Sequence, residues 1–278
     1  GITGGDPMLD FDKTVEAIVA LKSEFGKEHH IHCYTSIPIK PEQAKQLGQA
    51  GLDELRFHLL DLDLNMYRKS VIAANEAGIC VGVELPAEPD KNEKLHRLLD
   101  QLHDSPVQFL NLNELEITVG NQENMDVRGF NLAGGITAAA DGSAELAIEL
   151  KKAAENLDFH VKFCTASFKD AGQLRSRFRR RGEATLRPYE ILSGDDTILF
   201  GAIPCTLEDA AGDVQELVET LGLHEGWIRY DAPSQRIEIP LSAAEEVAEY
   251  LSVPVLMVEV HPTHERLEVG VVHLNESR

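Results

Sequence analysis

The sequence has 278 residues and a formal net charge of −21, because 47 Asp and Glu residues outnumber 26 Lys and Arg residues. A chain of this length can bury the core of one or two domains, whereas its acidity argues against a nucleic-acid or membrane-surface binder, which needs a basic surface. No apolar run reaches the roughly 18 residues of a membrane-spanning helix, and the four cysteines are too scattered for a disulfide framework or a metal finger. These features predict a cytoplasmic protein without nucleic-acid or membrane partners.

The chain opens on a glycine loop, Gly4-Gly5-Asp6-Pro7. Paired glycines free the backbone to adopt positive φ and let a ligand approach. Asp6 adds a fixed anion, and Pro7 suits the entry to the amphipathic helix that follows. Because residues 1–3 resemble the end of a strand, we expect the chain to be a fragment whose first elements are missing.

Repeated strand–helix units follow this loop. Gly26, Gly51 and Gly78 recur at intervals of 25 and 27 residues, the length of one strand, one helix and two short loops. Such repeats predict an α/β fold, here a partial (β/α) barrel of parallel strands that lacks its first unit. The predicted strands cover residues 30–34, 55–59, 79–85, 107–112 and 159–164. The predicted helices cover residues 41–51, 64–77, 92–102, 144–157 and 169–181. A loop over 120–142 is long enough to suggest function or disorder.

After residue 183 the pattern changes to short strands interrupted by two helices, over about 207–221 and 242–251. Paired short strands are typical of antiparallel sheets. The sequence therefore predicts a (β/α) barrel over residues 1–183 and a smaller α+β accessory domain over 184–278.

Polar residues follow most of the predicted parallel strands, where the sites of α/β sheets and barrels lie. After the glycine loop these are Thr35, Ser36, His58, Glu84, Asn111, Asn113, Thr165 and Ser167. Asn111 and Asn113 share one strand face. Since unpaired amides are costly to bury, they either bind a ligand or lock the neighbouring strands. The histidines lack HxxxH and HExxH spacing, so no metal ligand is assigned.

The stretch Ile2-Thr3-Gly4-Gly5-Asp6-Pro7-Met8-Leu9 resembles the GGE-type loop of radical S-adenosylmethionine (radical SAM) enzymes. Cys33-Tyr34-Thr35 and Gly82-Val83-Glu84-Leu85-Pro86 resemble the third and fifth strands of their barrel. The segments 110–116 and 163–170 are similar to an uncharacterised archaeal group related to pyruvate formate-lyase activating enzymes. The resemblance covers about residues 1–181.

The resemblance implies an enzyme that binds SAM and a four-iron four-sulfur cluster, and that uses an external electron donor. Reductive cleavage of SAM would give a 5′-deoxyadenosyl radical that abstracts hydrogen from an unknown substrate, a protein glycyl site by analogy with the activating enzymes. Asp6 would accept from the SAM ammonium, Arg56 would meet its carboxylate, and Glu84, Asn111 and Asn113 would contact the ribose or adenine. The residues implied in cofactor binding are Gly4, Gly5, Asp6, Pro7, Thr35, Arg56, Glu84, Asn111 and Asn113.

Two departures from the family pattern affect these expectations. Asp6 stands where Glu is usual, and the CX3CX2C motif that ligates the cluster is absent. Because the motif lies upstream of the GGE loop in the family, we expect the ligands before residue 1 and expect the truncated chain to be inactive alone. Two alternatives stay open: a barrel enzyme that binds a phosphate-containing ligand at the glycine loop, or a non-catalytic binding module.

Overall fold

The computed structural model describes residues 1–275 and divides the chain into two compact units, Gly1–Phe168 and the part from Lys169 onward. The first unit contains five parallel strands in their order along the chain. These strands are β1 (His32–Thr35), β2 (Glu54–Phe57), β3 (Cys80–Ala87), β4 (Phe109–Glu114) and β5 (His160–Cys164). The predicted α/β class is confirmed, as a parallel sheet consistent with a partial barrel.

Helices connect the strands, as the repeat predicts. They are α1 (Phe11–Phe25), α2 (Pro41–Ala50), α3 (Arg68–Glu76), α4 (Asn92–His103), α5 (Gln122–Val127), α6 (Ser143–Ala153) and α7 (Ala166–Phe168). Gly26 and Gly51 end α1 and α2 with positive φ, which explains their spacing in the sequence. Across residues 1–275, no helix has both the length and the apolar character needed to cross a lipid bilayer.

Alternation along the strands gives the sheet two different faces. One face is apolar and packs with the helices in a single core. Its buried strand residues include Cys33, Leu55, Val81, Val83, Leu85, Leu110 and Leu112. The other face of the sheet carries the polar residues of the same strands, and we call it the polar face. Its register-paired members in β1–β4 include His32, Tyr34, Glu54, Arg56, Glu84, Asn111 and Asn113.

The residues before the glycine loop lie beside β1. Ile2 pairs in parallel with Cys33. The Ile2 amide donates to the His32 carbonyl at 2.8 Å, and the Tyr34 amide donates to the Ile2 carbonyl at 3.3 Å. This pairing places the glycine loop at the carboxyl end of the sheet, directly after an extended segment.

The predicted loop over 120–142 contains the short helix α5 and a small core of its own. Leu115, Met125 and Ala140 are buried together, and Glu116 pairs with Ala139 in an isolated bridge. Six helical residues are too few to show a helical period in the sequence.

The second unit is built on an antiparallel sheet and confirms a separate α+β region. Its strands are β6 (Ile191–Leu192), β7 (Ile198–Pro204), β8 (Arg229–Asp231), β9 (Arg236–Ile239), β10 (Leu256–Val260) and β11 (Glu268–His273). Its helices are α8 (Arg175–Thr185), α9 (Ala210–Leu221) and α10 (Leu241–Val247), and a π-helix, Lys169–Leu174, precedes α8. The sheet order is β11-β10-β7-β9-β8, and β6 pairs with β7.

The division between the units falls before α8, whereas the sequence predicts a boundary after residue 183. The side chains of α8 explain the difference. Arg179 Nε donates to Asp196 at 2.7 Å, and Arg175 Nε donates to the same carboxylate at 3.3 Å. Asp196 is 3% exposed and lies two residues before β7. These ion pairs join α8 to the second sheet.

Candidate functional site

Gly4 and Gly5 leave their backbone open at the carboxyl end of the sheet. Their φ angles are 108° and 113°, a region that favours glycine, and both residues are exposed. A Cβ placed on either residue would meet no heavy atom within 4 Å. The main-chain groups of this loop are therefore accessible to a ligand.

The Asp6 carboxylate is fully engaged by the protein. Oδ1 accepts from the Met8 amide at 3.0 Å and from the Thr35 hydroxyl at 2.8 Å. Oδ2 accepts from the amide and hydroxyl of Ser36, at 2.7 and 2.9 Å. Through these bonds Asp6 caps the 3₁₀ helix that begins at Pro7 and fastens the glycine loop to the end of β1.

Burial alone would raise the pKa of Asp6, but the hydrogen bonds from Ser36, Thr35 and Met8 outweigh it and hold the pKa below its ordinary value of 3.8. Thr35 is 2% exposed, and its hydroxyl also accepts from the Ile37 amide at 3.0 Å. Thr35 therefore contacts the loop through Asp6.

Arg56 lies at the centre of a second polar group, in the middle of β2. Its Nη1 donates to the Tyr34 hydroxyl at 2.6 Å and to Glu84 Oε2 at 2.9 Å. Its Nε donates to Glu54. The guanidinium also lies 5.7 Å from the centre of the Phe109 ring. Arg56 therefore lies on the polar face, with its Nε and Nη1 already paired with protein acceptors.

Gly82 provides room for this arrangement. A Cβ at Gly82 would lie 2.0 Å from the Phe109 ring, so glycine is required for the ring to cross β3 beside Arg56.

Glu84 connects three strands of the sheet. Besides Arg56 in β2, its oxygens accept from the Nδ2 atoms of Asn111 and Asn113 in β4, both at 3.1 Å. The sequence left two roles open for these amides, ligand binding or locking of the neighbouring strands. In the structure both amides donate to Glu84, itself a predicted site residue, and so they lock β4 to β3.

The centre of the polar face carries an excess of negative charge. Two carboxylates, Glu54 and Glu84, surround the single guanidinium of Arg56, with 13%, 21% and 18% of their side chains exposed. Burial and the nearby Glu84 raise the pKa of Tyr34, so this phenol stays neutral. Burial and Arg56 lower the pKa of His32 to about 4, so this imidazole is neutral at pH 7. The group of charges around Arg56 therefore has one excess negative charge, which favours a cationic ligand.

The predicted site residues fall into two groups that meet at the end of β1. Gly4, Gly5, Asp6, Pro7 and Thr35 form the loop group, whereas Arg56, Glu84, Asn111 and Asn113 form the network on the polar face. His58 links them: its amide donates to the Thr35 carbonyl at 2.8 Å, and its Nδ1 lies 3.1 Å from the Glu84 carbonyl oxygen.

Sequence reasoning missed Tyr34 and Glu54 as members of the network. Both share their strand parity with residues already proposed: Tyr34 pairs with Arg56, and Glu54 lies two residues before Arg56. Applying the period of two across adjacent strands would have identified them.

The cysteines of the sheet do not form a cluster site. Cys33, Cys80 and Cys164 lie on β1, β3 and β5, three strands that are not adjacent. Cys33 is buried in the apolar core, and burial raises its pKa to about 12, far from the thiolate that an iron–sulfur cluster needs. Within residues 1–275, the one trio of His, Cys, Asp or Glu close enough to share a metal contains no cysteine. The described residues therefore do not fit a four-iron four-sulfur cluster.

No protein-family model matches the chain. The chain is 31% identical over 290 residues to a protein of Methanocaldococcus jannaschii named "Putative glycyl-radical enzyme activating enzyme", and the alignment covers 99% of this chain and 75% of that protein. This similarity identifies the chain as a radical SAM protein in the general sense, which agrees with its parallel α/β sheet. Within that class, the chain belongs to the family of the M. jannaschii protein.

Proposed function

We propose that the chain is the SAM-binding part of an activating enzyme that generates a radical on a glycine of a partner protein. The name of the M. jannaschii relative supports this substrate class. The observation that carries SAM binding is the open main chain of Gly4 and Gly5, held at the carboxyl end of the sheet by Asp6. A cytoplasmic location and an external electron donor belong to the same proposal.

The loop would bind the ammonium group of SAM through backbone carbonyl oxygens. The expected role of Asp6 as the direct ammonium acceptor changes in this proposal, because all four of its hydrogen bonds come from the protein. Asp6 instead holds the loop in place and adds a negative charge close to the bound cation.

The polar face would bind the rest of SAM. Its sulfonium is a cation, and the excess carboxylate charge around Arg56 favours it. Glu84, Asn111 and Asn113 supply acceptors and donors for the ribose hydroxyls or the adenine edge. Arg56 keeps Glu84 oriented, and a SAM carboxylate would have to compete with Glu54 and Glu84 for it.

SAM is the source of the 5′-deoxyadenosyl group in this chemistry. No step of it is assigned to the described residues, because they do not fit the cluster. The cluster ligands would come from sequence outside residues 1–275, and a CX3CX2C motif in the coding sequence before Gly1 would support that arrangement.

SAM binding by the 278-residue chain is tested by saturation-transfer NMR, which detects weak complexes. We expect wild type to give a SAM signal that Gly5→Val abolishes, since the side chain strains the positive φ and covers the loop. Gly135→Val is the matched control, because Gly135 also has a positive φ, 87°, with no heavy atom near its Cβ position. No SAM signal from wild type, or equal losses in both variants, would contradict the proposed site.

The partner protein is tested with enzyme expressed from the complete coding sequence, reduced without oxygen and given SAM. We expect a glycyl-radical signal on a partner protein in electron paramagnetic resonance, lost when the accepting glycine is changed to alanine. SAM cleavage without a radical on any protein would contradict the proposed protein substrate but not the proposed SAM binding.

A further inference from the structure

His30, His32 and Glu54 converge at the amino end of the sheet, away from the glycine loop. His30 precedes β1 by two residues and His32 begins it, so both side chains lie on one side of the strand. Glu54 begins β2 and is the register partner of His32. One ligand atom from each residue lies within 4.8 Å of the others, and His30 Nε2 is 3.7 Å from Glu54 Oε2.

We infer that His30, His32 and Glu54 form a divalent transition-metal site that binds Zn²⁺. Two imidazoles and one carboxylate are a ligand set that zinc uses, with water in the fourth position. This inference concerns the amino end of the sheet and rests on the ligand set there, although Glu54 also pairs with Arg56 on the polar face.

The three ligand atoms need only a local movement to reach the separations of a zinc site. Zinc bonds of about 2.0–2.1 Å place tetrahedral ligand atoms roughly 3.3 Å apart. The His30–Glu54 pair is already close to that separation, and the His30 side chain, 56% exposed, is free to rotate toward the other two. Glu54 Oε1 accepts from Arg56, whereas Oε2 faces His30.

The second imidazole packs against the first residue of the chain. A Cβ on residue 1 would lie 2.6 Å from His32 Nε2, so the ring can occupy this place only because residue 1 is glycine. The His30–His32 ring centres are 5.8 Å apart, and neither ring stacks face to face on the other. Bound zinc would join the segment before β1 to β2 and so stabilise the edge of the parallel sheet.

The test measures zinc retained by the untagged 278-residue chain after equilibrium dialysis, together with the spectrum of the Co²⁺ form. We expect about one zinc per chain, and a cobalt spectrum without the intense thiolate charge-transfer band that cysteine ligands give. His30→Ala and Glu54→Gln should each weaken zinc binding by at least about 100-fold, since the first removes a direct ligand and the second replaces an anionic oxygen with a neutral one.

His29→Ala is the matched control, because His29 is an exposed neighbouring imidazole outside the trio. His29→Ala should retain zinc with unchanged affinity and unchanged thermal stabilisation by zinc. His30 is itself exposed, so His30→Ala should fold normally and give an interpretable result. No zinc on wild type, unchanged zinc affinity in His30→Ala, or a thiolate band in the cobalt spectrum would each overturn the site.

Discussion

Leu85 and Glu84 are neighbours in β3 that lie in opposite environments. Leu85 is 1% exposed in the core beneath the helices, whereas Glu84 is partly exposed and bonds three polar side chains from β2 and β4. The apolar face gains stability by removing hydrocarbon from water. The polar face instead holds ion pairs, which add little net stability because their attraction is offset by the cost of removing the charges from water. The comparison indicates that the first face maintains the fold and that the second holds the hydrogen-bonded groups of the proposed SAM site.

Leu85→Ala tests the apolar face and should have the largest effect. Leucine-to-alanine changes in a packed core cost about 2–5 kcal/mol of unfolding free energy, because transfer energy is lost and a cavity remains. Hydrogen exchange of the β3 amides measures this, since the one tryptophan, Trp227, lies in the second unit and does not report on β3. Ile148→Ala on the exposed side of α6 is the control and should stay within about 0.5 kcal/mol of wild type. Equal effects of the two variants would remove the contrast between core and surface.

Asp6→Asn tests the link between the loop and the end of β1. The amide cannot accept at both oxygen positions, so donors of Ser36 or of Thr35 and Met8 lose a partner, at a cost of about 1–3 kcal/mol. The Asp6 contribution is present above its ordinary pKa of 3.8 and is lost as the pH falls through the lowered pKa of the folded protein. The stability difference between wild type and Asp6→Asn should therefore close on acidification.

Protection of the Ser36 amide against hydrogen exchange, followed from pH 7 to about pH 3, measures this difference. Asp10→Asn is the control, because the Asp10 carboxylate is more than half exposed and pairs only with Lys13 among the described salt bridges. Asp10→Asn should leave protection of the Ser36 amide unchanged. A pH-independent gap between wild type and Asp6→Asn would show that the carboxylate charge is not what holds the loop.

Local sequence patterns were sufficient to predict most of the first unit. The five parallel strands follow from alternation and from the spacing of Gly26, Gly51 and Gly78, and both features act within a few residues. Glu84 was chosen from its position at the end of a predicted strand, whereas Arg56 came from the resemblance to radical SAM enzymes, and both stay predictions as site residues. The attachment of α8 to the second sheet could not be predicted in this way, because it depends on ion pairs to Asp196 that no local pattern encodes.

Contacts between distant segments explain what the sequence did not reveal. The four donors to Asp6 come partly from residues 29 and 30 positions away, and only the folded chain shows that they fill the carboxylate. The His30, His32 and Glu54 trio requires the register of β1 against β2. A search for helical histidine spacings, which rests on a period of 3.6, does not detect an i, i+2 pair on a strand.

Glu84→Gln tests the polar face and should have the smallest effect on stability. The change preserves the shape of the side chain but removes one charge. Only one oxygen is then left to accept from Arg56, Asn111 and Asn113, which should lower the unfolding free energy by about 1 kcal/mol. Its effect on ligand binding should be larger, about a tenfold loss of SAM affinity, because the excess negative charge around Arg56 disappears. Affinity for S-adenosylhomocysteine, which lacks the sulfonium charge, should change much less.

Glu145→Gln is the control, because it changes the net charge equally but on the exposed surface of α6, and it should leave both affinities intact. If Glu84→Gln weakened both ligands equally, Glu84 would act through the shape of the site. If Glu145→Gln matched its effect on SAM, the overall charge of the protein, and not the polar face, would attract the cofactor.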